Sequence, residues 1–220
     1  MTIGLPGIDR LPSMDRLPAQ ERGITIGDFL VPIRLSERIN VRVRHLALIL
    51  AGTILIAVGA QISFVIPGNV VPITGQTFGV LVAGGALGFR RGIAATLLYL
   101  ILGIVGLPFF ALSKTGIDVV LGATGGYLIG FVIAAAIVGR LAELGWDRNL
   151  LGAVGAMVIA NVAIYVVAVP WLAYVTHHDL AWGVQYGLWP FLGGDALKML
   201  LAAAAFPVAW WVVGRRPGDR

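Results

Sequence analysis

From about residue 46 onward, apolar runs of roughly 20 residues follow one another, parted only by short stretches of charge, proline and glycine. At about 1.5 Å of rise per helical residue, such a run covers about 30 Å, the hydrocarbon thickness of a bilayer. A chain patterned this way folds inside a membrane. Its balance agrees: 58% of residues are hydrophobic and 12% charged, with a mean hydropathy of +0.90, where soluble domains carry about a quarter charged residues. Glycine, alanine and leucine dominate the runs and strand-period alternation is largely missing, which argues against an outer-membrane barrel. The predicted fold class is therefore all-α and integral to the membrane.

Punctuation divides the runs into six expected spans. The first covers about residues 46–66 and is stopped by Pro67 and Gly68, with Pro72 close behind. The second, about 76–89, is glycine-rich and short for a crossing, and the third, 92–112, is weakened in its outer half by Gly103, Gly106 and Pro108. The fourth covers about 124–141 and the fifth 150–175, bent at Pro170; the sixth begins near Pro190 and ends before Arg215. Six crossings place Arg90, Arg91, Arg140, Arg148, Arg215, Arg216 and Arg220 on the side of the basic leader, leaving Lys114 alone opposite. The positive-inside rule then puts both termini in the cytoplasm. Residues 1–45 are expected as a cytoplasmic extension, flexible up to about residue 33 and basic near the membrane through Arg38, Arg42 and Arg44. Residues 46–214 form the transmembrane domain and 215–220 a cytoplasmic tail. The first apolar run starts too late for a cleavable signal.

Several chemistries are excluded. The chain has no cysteine, hence no disulfide, thiolate metal site or cysteine nucleophile. Its net charge of +5 sits at the ends of apolar runs, as topology requires, and does not point to nucleic acid. His177, His178 and Asp179 lack a third strong ligand and read as a solvated loop, so no metal is expected. No phosphate-cradling loop or nucleophile elbow is present, so no catalytic residue and no resident cofactor are expected; any ATP would be used by other subunits. Trp171, Tyr174, Trp182, Tyr186 and Trp189 read as an interfacial aromatic belt.

Asp195 and Lys198 are the ionisable pair that an apolar span should not contain. Three residues apart, they share a helical face one to two turns below the outer end of the sixth span. They either neutralise each other or complete a polar ligand, and the second reading is the stronger, because leucines would serve a self-contained pair's purpose at lower cost. An ammonium holds a carboxylate and a carboxylate accepts N–H donors, which suits a small organic anion carrying amide or urea groups. Gly194, just before them, permits close backbone approach. Thr74, Gln76, Lys114, Thr124 and Tyr127 lie at span ends on the same side and are candidates for the same pocket, although helix capping explains Thr74 and Thr124 equally well.

Five stretches carry a family likeness: Ala57 to Ser63, Val71 to Gly84, Leu98 to Pro108, Leu121 to Phe131 and Gly194 to Lys198. In that order they resemble the BioY family, the biotin-binding S components of energy-coupling factor (ECF) vitamin transporters. The resemblance implies a six-helix S-component bundle in the prokaryotic cell (inner) membrane, surrounded by lipid. It would capture biotin at the outer face, with Lys198 on the valerate carboxylate and Asp195 on ureido N–H groups. It also implies partners, a transmembrane coupling subunit and two ATP-binding subunits, with Ala47 and Ala51 as a small-residue contact face unless they pack within the bundle. The turn after the third span, Ala111 to Asp118, departs from the glycine-rich pattern of similar proteins and makes Lys114 a candidate second cation. The competing expectation is a stand-alone carrier of biotin or a similar small organic anion, driven by protons through Asp195.

Overall fold

A computed structural model describes residues 25–30 and 40–212. The predicted tail beyond residue 212, and the leader apart from residues 25–30 and 40–45, lie outside the described residues; Arg38, Arg215, Arg216 and Arg220 are among those left out. The elements run α1 (Gly27–Leu30), α2 (Val41–Gln61), β1 (Ser63–Phe64), β2 (Ile73–Thr74), α3 (Gln76–Val105), α4 (Ile117–Leu121), α5 (Gly125–Glu143), α6 (Leu150–Val175), α7 (Leu180–Gly187) and α8 (Trp189–Val212). Five of these, α2, α3, α5, α6 and α8, are long and apolar enough to cross a bilayer. The chain is a multi-pass membrane protein with an all-helical membrane domain.

Helix α3 is two arms folded together. Gly88 breaks it at φ 81 and ψ 179, a conformation essentially confined to glycine. The reversal brings Gly92 against Gly84, where a side chain on Gly92 would meet the Gly84 Cα at 2.9 Å. It also brings the Gln76 amide to the Tyr99 hydroxyl as donor. The segments expected as second and third spans are thus the two arms of one helix, with the turn at Gly88 instead of at Arg90 and Arg91. The first arm, 76–87, reaches only about 18 Å, and the loop 62–75 completes the wall above it.

Three other boundaries differ from expectation. Helix α2 ends at Gln61, and Ser63 and Phe64 turn back to pair with Thr74 and Ile73 in a short antiparallel ribbon. The second arm of α3 stops at Val105, because Gly106 takes φ 121 and Pro108 follows; of residues 106–112, expected as helix, 106–110 form a loop that leads into a 3-10 turn at Ala111–Ser113. Helices α4 and α7 fill the connections before α5 and before α8.

The core is built from small residues. Ala83, Ala95, Ala134, Ala135, Ala156, Ala160 and Ala168 are buried, so backbones approach closely where no hydrophobic force separates protein from lipid. Leu50, Ile54, Ile101, Val162, Val166 and Leu200 point outward, as a surface facing acyl chains requires.

Residues 25–30 correct one expectation. Read as part of a flexible leader, they instead dock on the Gly88 end of the bundle, with Thr25 and Ile26 buried. Asp28 bridges Arg91 at 2.8 Å and Arg44 at 3.5 Å, and Phe29 meets Trp210 edge-on at 5.8 Å. Burial opposes ionisation of Asp28, but the Arg91 and Thr25 bonds outweigh it and hold the carboxyl below its ordinary range. A depressed acid stabilises the fold above its unfolded pKa, about 4. That contribution is lost as pH falls through the lower folded value. Asp28→Asn is expected to lower stability by about 1 kcal/mol at pH 7, read by thermal unfolding in detergent. The gap between variant and wild type should close in acid; a gap that persists there would refute the bridge.

Candidate ligand-binding site

At the end of the bundle opposite Gly88 lies a cavity of about 370 Å³, within the usual range for small-molecule sites. Its floor and sides come from α3, α5, α6 and α8, and its rim from the loops 62–75 and 106–124. Phe110, Phe131, Tyr165 and Phe191 give it an aromatic wall. Charge enters on α8 and at the rim.

Asp195 is 4% exposed, and both its oxygens are engaged. The Lys198 ammonium donates to Oδ1 at 2.7 Å, and the Tyr165 hydroxyl, from α6, donates to Oδ2 at 2.5 Å. The pair thus joins internally and also borders the cavity, so the two readings of these residues do not exclude each other. Lys198 has two further N–H groups.

Gln76, 6% exposed, ends its short arm at the cavity wall and is tied to both arms of α3. Its side-chain carbonyl accepts from the Thr74 hydroxyl at 2.9 Å, and that hydroxyl accepts from the Gln76 backbone N–H at 3.3 Å. The N-cap position of this arm is Gly75, without a side-chain cap, and Thr74 precedes it. Thr124 does not cap α5; its hydroxyl donates to the Val119 carbonyl at 3.0 Å. Tyr127, one turn along α5, donates to the Gly187 carbonyl at 2.5 Å and ties the α7–α8 joint to the wall.

Lys114 reaches the rim through an unusual turn. Leu112 and Ser113 both take positive φ, 59 and 56, a left-handed conformation uncommon without glycine. Gln61, at the end of α2, fastens this turn by donating to the Phe110 carbonyl at 3.2 Å and accepting from the Ser113 hydroxyl at 3.0 Å. Lys114 lies on the cavity wall with Asp118, and no hydrogen bond or ion pair of its ammonium is found among the described residues.

The structure thus gathers seven of the sequence candidates, Thr74, Gln76, Lys114, Thr124, Tyr127, Asp195 and Lys198, around one cavity. Gly194 is not among the lining residues; a Cβ there would sit 3.9 Å from the nearest atom, so no close backbone approach is needed. Tyr165 was missed, because a tyrosine inside an uninterrupted apolar run reads as packing. Ala47 and Ala51 are exposed on the outer face of α2, in line with Ile54 and Val58, and so do not pack within the bundle. Of the metal-like cluster, Asp179 accepts from the Trp182 backbone N–H to cap α7, and His178 stacks on the Trp182 ring at 4.0 Å.

Comparison with known proteins places this geometry in a family. A profile of the BioY family matches residues 34–215. The biotin transporter BioY of Thermotoga maritima is 40% identical over 155 residues, covering 69% of this chain and 86% of that protein. The probable biotin transporter BioY of Pyrococcus horikoshii is 37% identical over 161 residues, covering 73% and 93%. Among solved structures, the S-component for biotin from an ECF-type ABC transporter shares the fold, with a TM-score of 0.71 and 24% identity over 79% of this chain and 93% of that one. The chain belongs to the BioY family.

Proposed function

We propose that this chain is the biotin-capturing S component of an ECF-type transporter, a transport subunit and not an enzyme. The observation that carries the reading is a largely apolar, aromatic cavity whose charged groups are the buried Asp195–Lys198 pair at one side and Lys114 with Asp118 at the rim. Biotin has matching parts: a urea with two N–H donors and one carbonyl, an apolar ring and chain, and a carboxylate. Asp195 accepts one ureido N–H, and Lys198, already joined to Asp195, gives a remaining N–H to the adjacent ureido carbonyl. Lys114 then meets the carboxylate. This differs from the sequence expectation for Lys198, and the difference rests on its bond to Asp195.

The membrane is crossed six times, the two arms of α3 counting separately. Arg90, Arg91, Arg140 and Arg148 mark the cytoplasmic end, so both termini are cytoplasmic and the cavity opens outward from a prokaryotic inner membrane. The exposed Ala47 and Ala51 suit a coupling subunit's helix. ATP hydrolysis belongs to two partner subunits, and this chain holds no cofactor.

Titration of the purified protein with biotin and with its neutral carboxamide tests both ligand and orientation. Lys114→Ala is expected to weaken biotin about tenfold or more and to leave the carboxamide unchanged. Lys198→Ala is expected to weaken both. An exchange of these patterns would reverse the orientation, and a wild-type protein that ignores biotin would refute the function.

A further inference from the structure

We infer that Tyr165 is a positioning residue for ligand selection: from α6 it fixes the Asp195 carboxylate on α8 so that a free lone pair faces one ureido N–H. The inference rests on the biotin reading above. Each carboxylate oxygen accepts about two hydrogen bonds. Lys198 occupies one site on Oδ1 and Tyr165 one site on Oδ2. Because the two N–H bonds of a cyclic urea diverge on either side of its carbonyl, the carboxylate takes one of them on a remaining site while Lys198 reaches the carbonyl beside it.

The two donors do not act alike. Lys198 lies on the same helix as Asp195 and moves with it, through a flexible stem. Tyr165 comes from a different helix and is held rigidly. The Tyr127 ring meets its ring edge-on at 6.4 Å and 83°, Phe191 packs on Tyr127 at 5.7 Å, and the Tyr127 hydroxyl is itself anchored on Gly187. A fixed cross-helix donor selects one carboxylate rotamer, where an intrahelical ammonium follows whichever rotamer forms. Tyr165 also borders the cavity, so the same bond couples the α6–α8 spacing to the site.

Tyr165→Phe keeps the ring and its packing while removing the donor. Its affinity should be compared with wild type for biotin and for the two mono-N-methyl ureido isomers, by calorimetric titration of the purified protein. Wild type should prefer biotin strongly over at least one isomer. In Tyr165→Phe, biotin affinity should fall about tenfold, and the preference over that isomer should shrink by a similar factor. A merely structural role would weaken all three ligands alike and leave the ratios unchanged, and that outcome overturns the inference. Wild-type affinity for biotin in Tyr165→Phe overturns it as well. Both leave the transporter reading standing, whereas a wild-type protein that does not bind biotin removes the two together.

Discussion

Lys198→Ala is expected to lower biotin affinity by a hundredfold or more and to destabilise the protein as well. The substitution removes a donor to the ligand and strands the Asp195 carboxylate, 4% exposed, with Tyr165 alone. Breaking a buried pair from one side costs about 3–5 kcal/mol, because the remaining charge keeps its desolvation penalty. Two losses with separate causes can be pulled apart. The double variant Asp195→Asn with Lys198→Met removes both charges at similar volume, and such replacements are often neutral for stability. It should melt near the wild-type temperature and still fail to bind biotin. Wild-type affinity in the double variant would sink the site assignment, and a melting temperature as low as that of Lys198→Ala would sink the account of its instability.

Gly139→Val is expected to abolish folding. A Cβ on Gly139 would lie 2.6 Å from the Gly88 carbonyl carbon, 2.7 Å from the Phe89 nitrogen and 2.8 Å from the Gly88 oxygen. All three are backbone atoms at the elbow of α3, and Gly88 is held at φ 81 there. The elbow cannot yield without separating the arms, since Gly84 rests on both Gly92 and Ala135. Overpacking against fixed backbone belongs to the severe tail of single substitutions, above about 4 kcal/mol. Little monodisperse protein should survive detergent extraction and gel filtration. Gly193→Ala, where a Cβ meets nothing within 4 Å, is the matched control and should behave as wild type. Normal yield and melting for Gly139→Val would refute the close contact.

What could be read from the residues alone follows from which signals are local. Helix α6 was expected at 150–175 and runs there, because its apolar run is unbroken and Asn149 caps it by accepting from the Gly152 N–H at 2.7 Å. Membrane residence and the pairing of Asp195 with Lys198 on one face were equally legible, since both depend on spacing along one helix. The elbow at Gly88 was not. Gly84, Gly85 and Gly92 surround it in the chain, and only the partner surfaces of Ala135 and Gly139 decide which glycine turns. Nor was the strand at Ser63, whose β-branched neighbours Ile62, Val65 and Ile66 prolong an apolar run and read as helix until Ile73 and Thr74 come back to pair with it. Tyr165 belongs to the same class: its bond to Asp195 spans 30 residues, and a pairing of that range leaves no trace in either segment alone.

The docked segment at residues 25–30 shows that the edge of homology is not the edge of the folded body. Family likeness begins at residue 34, yet a carboxylate six residues earlier ties together guanidinium groups from α2 and α3. A chain trimmed to the homologous stretch would leave Arg44 and Arg91 without that counter-ion and would bare the backbone of Ala86 and Leu87, against which Gly27 rests. For this protein, the smallest piece worth isolating begins ahead of Thr25.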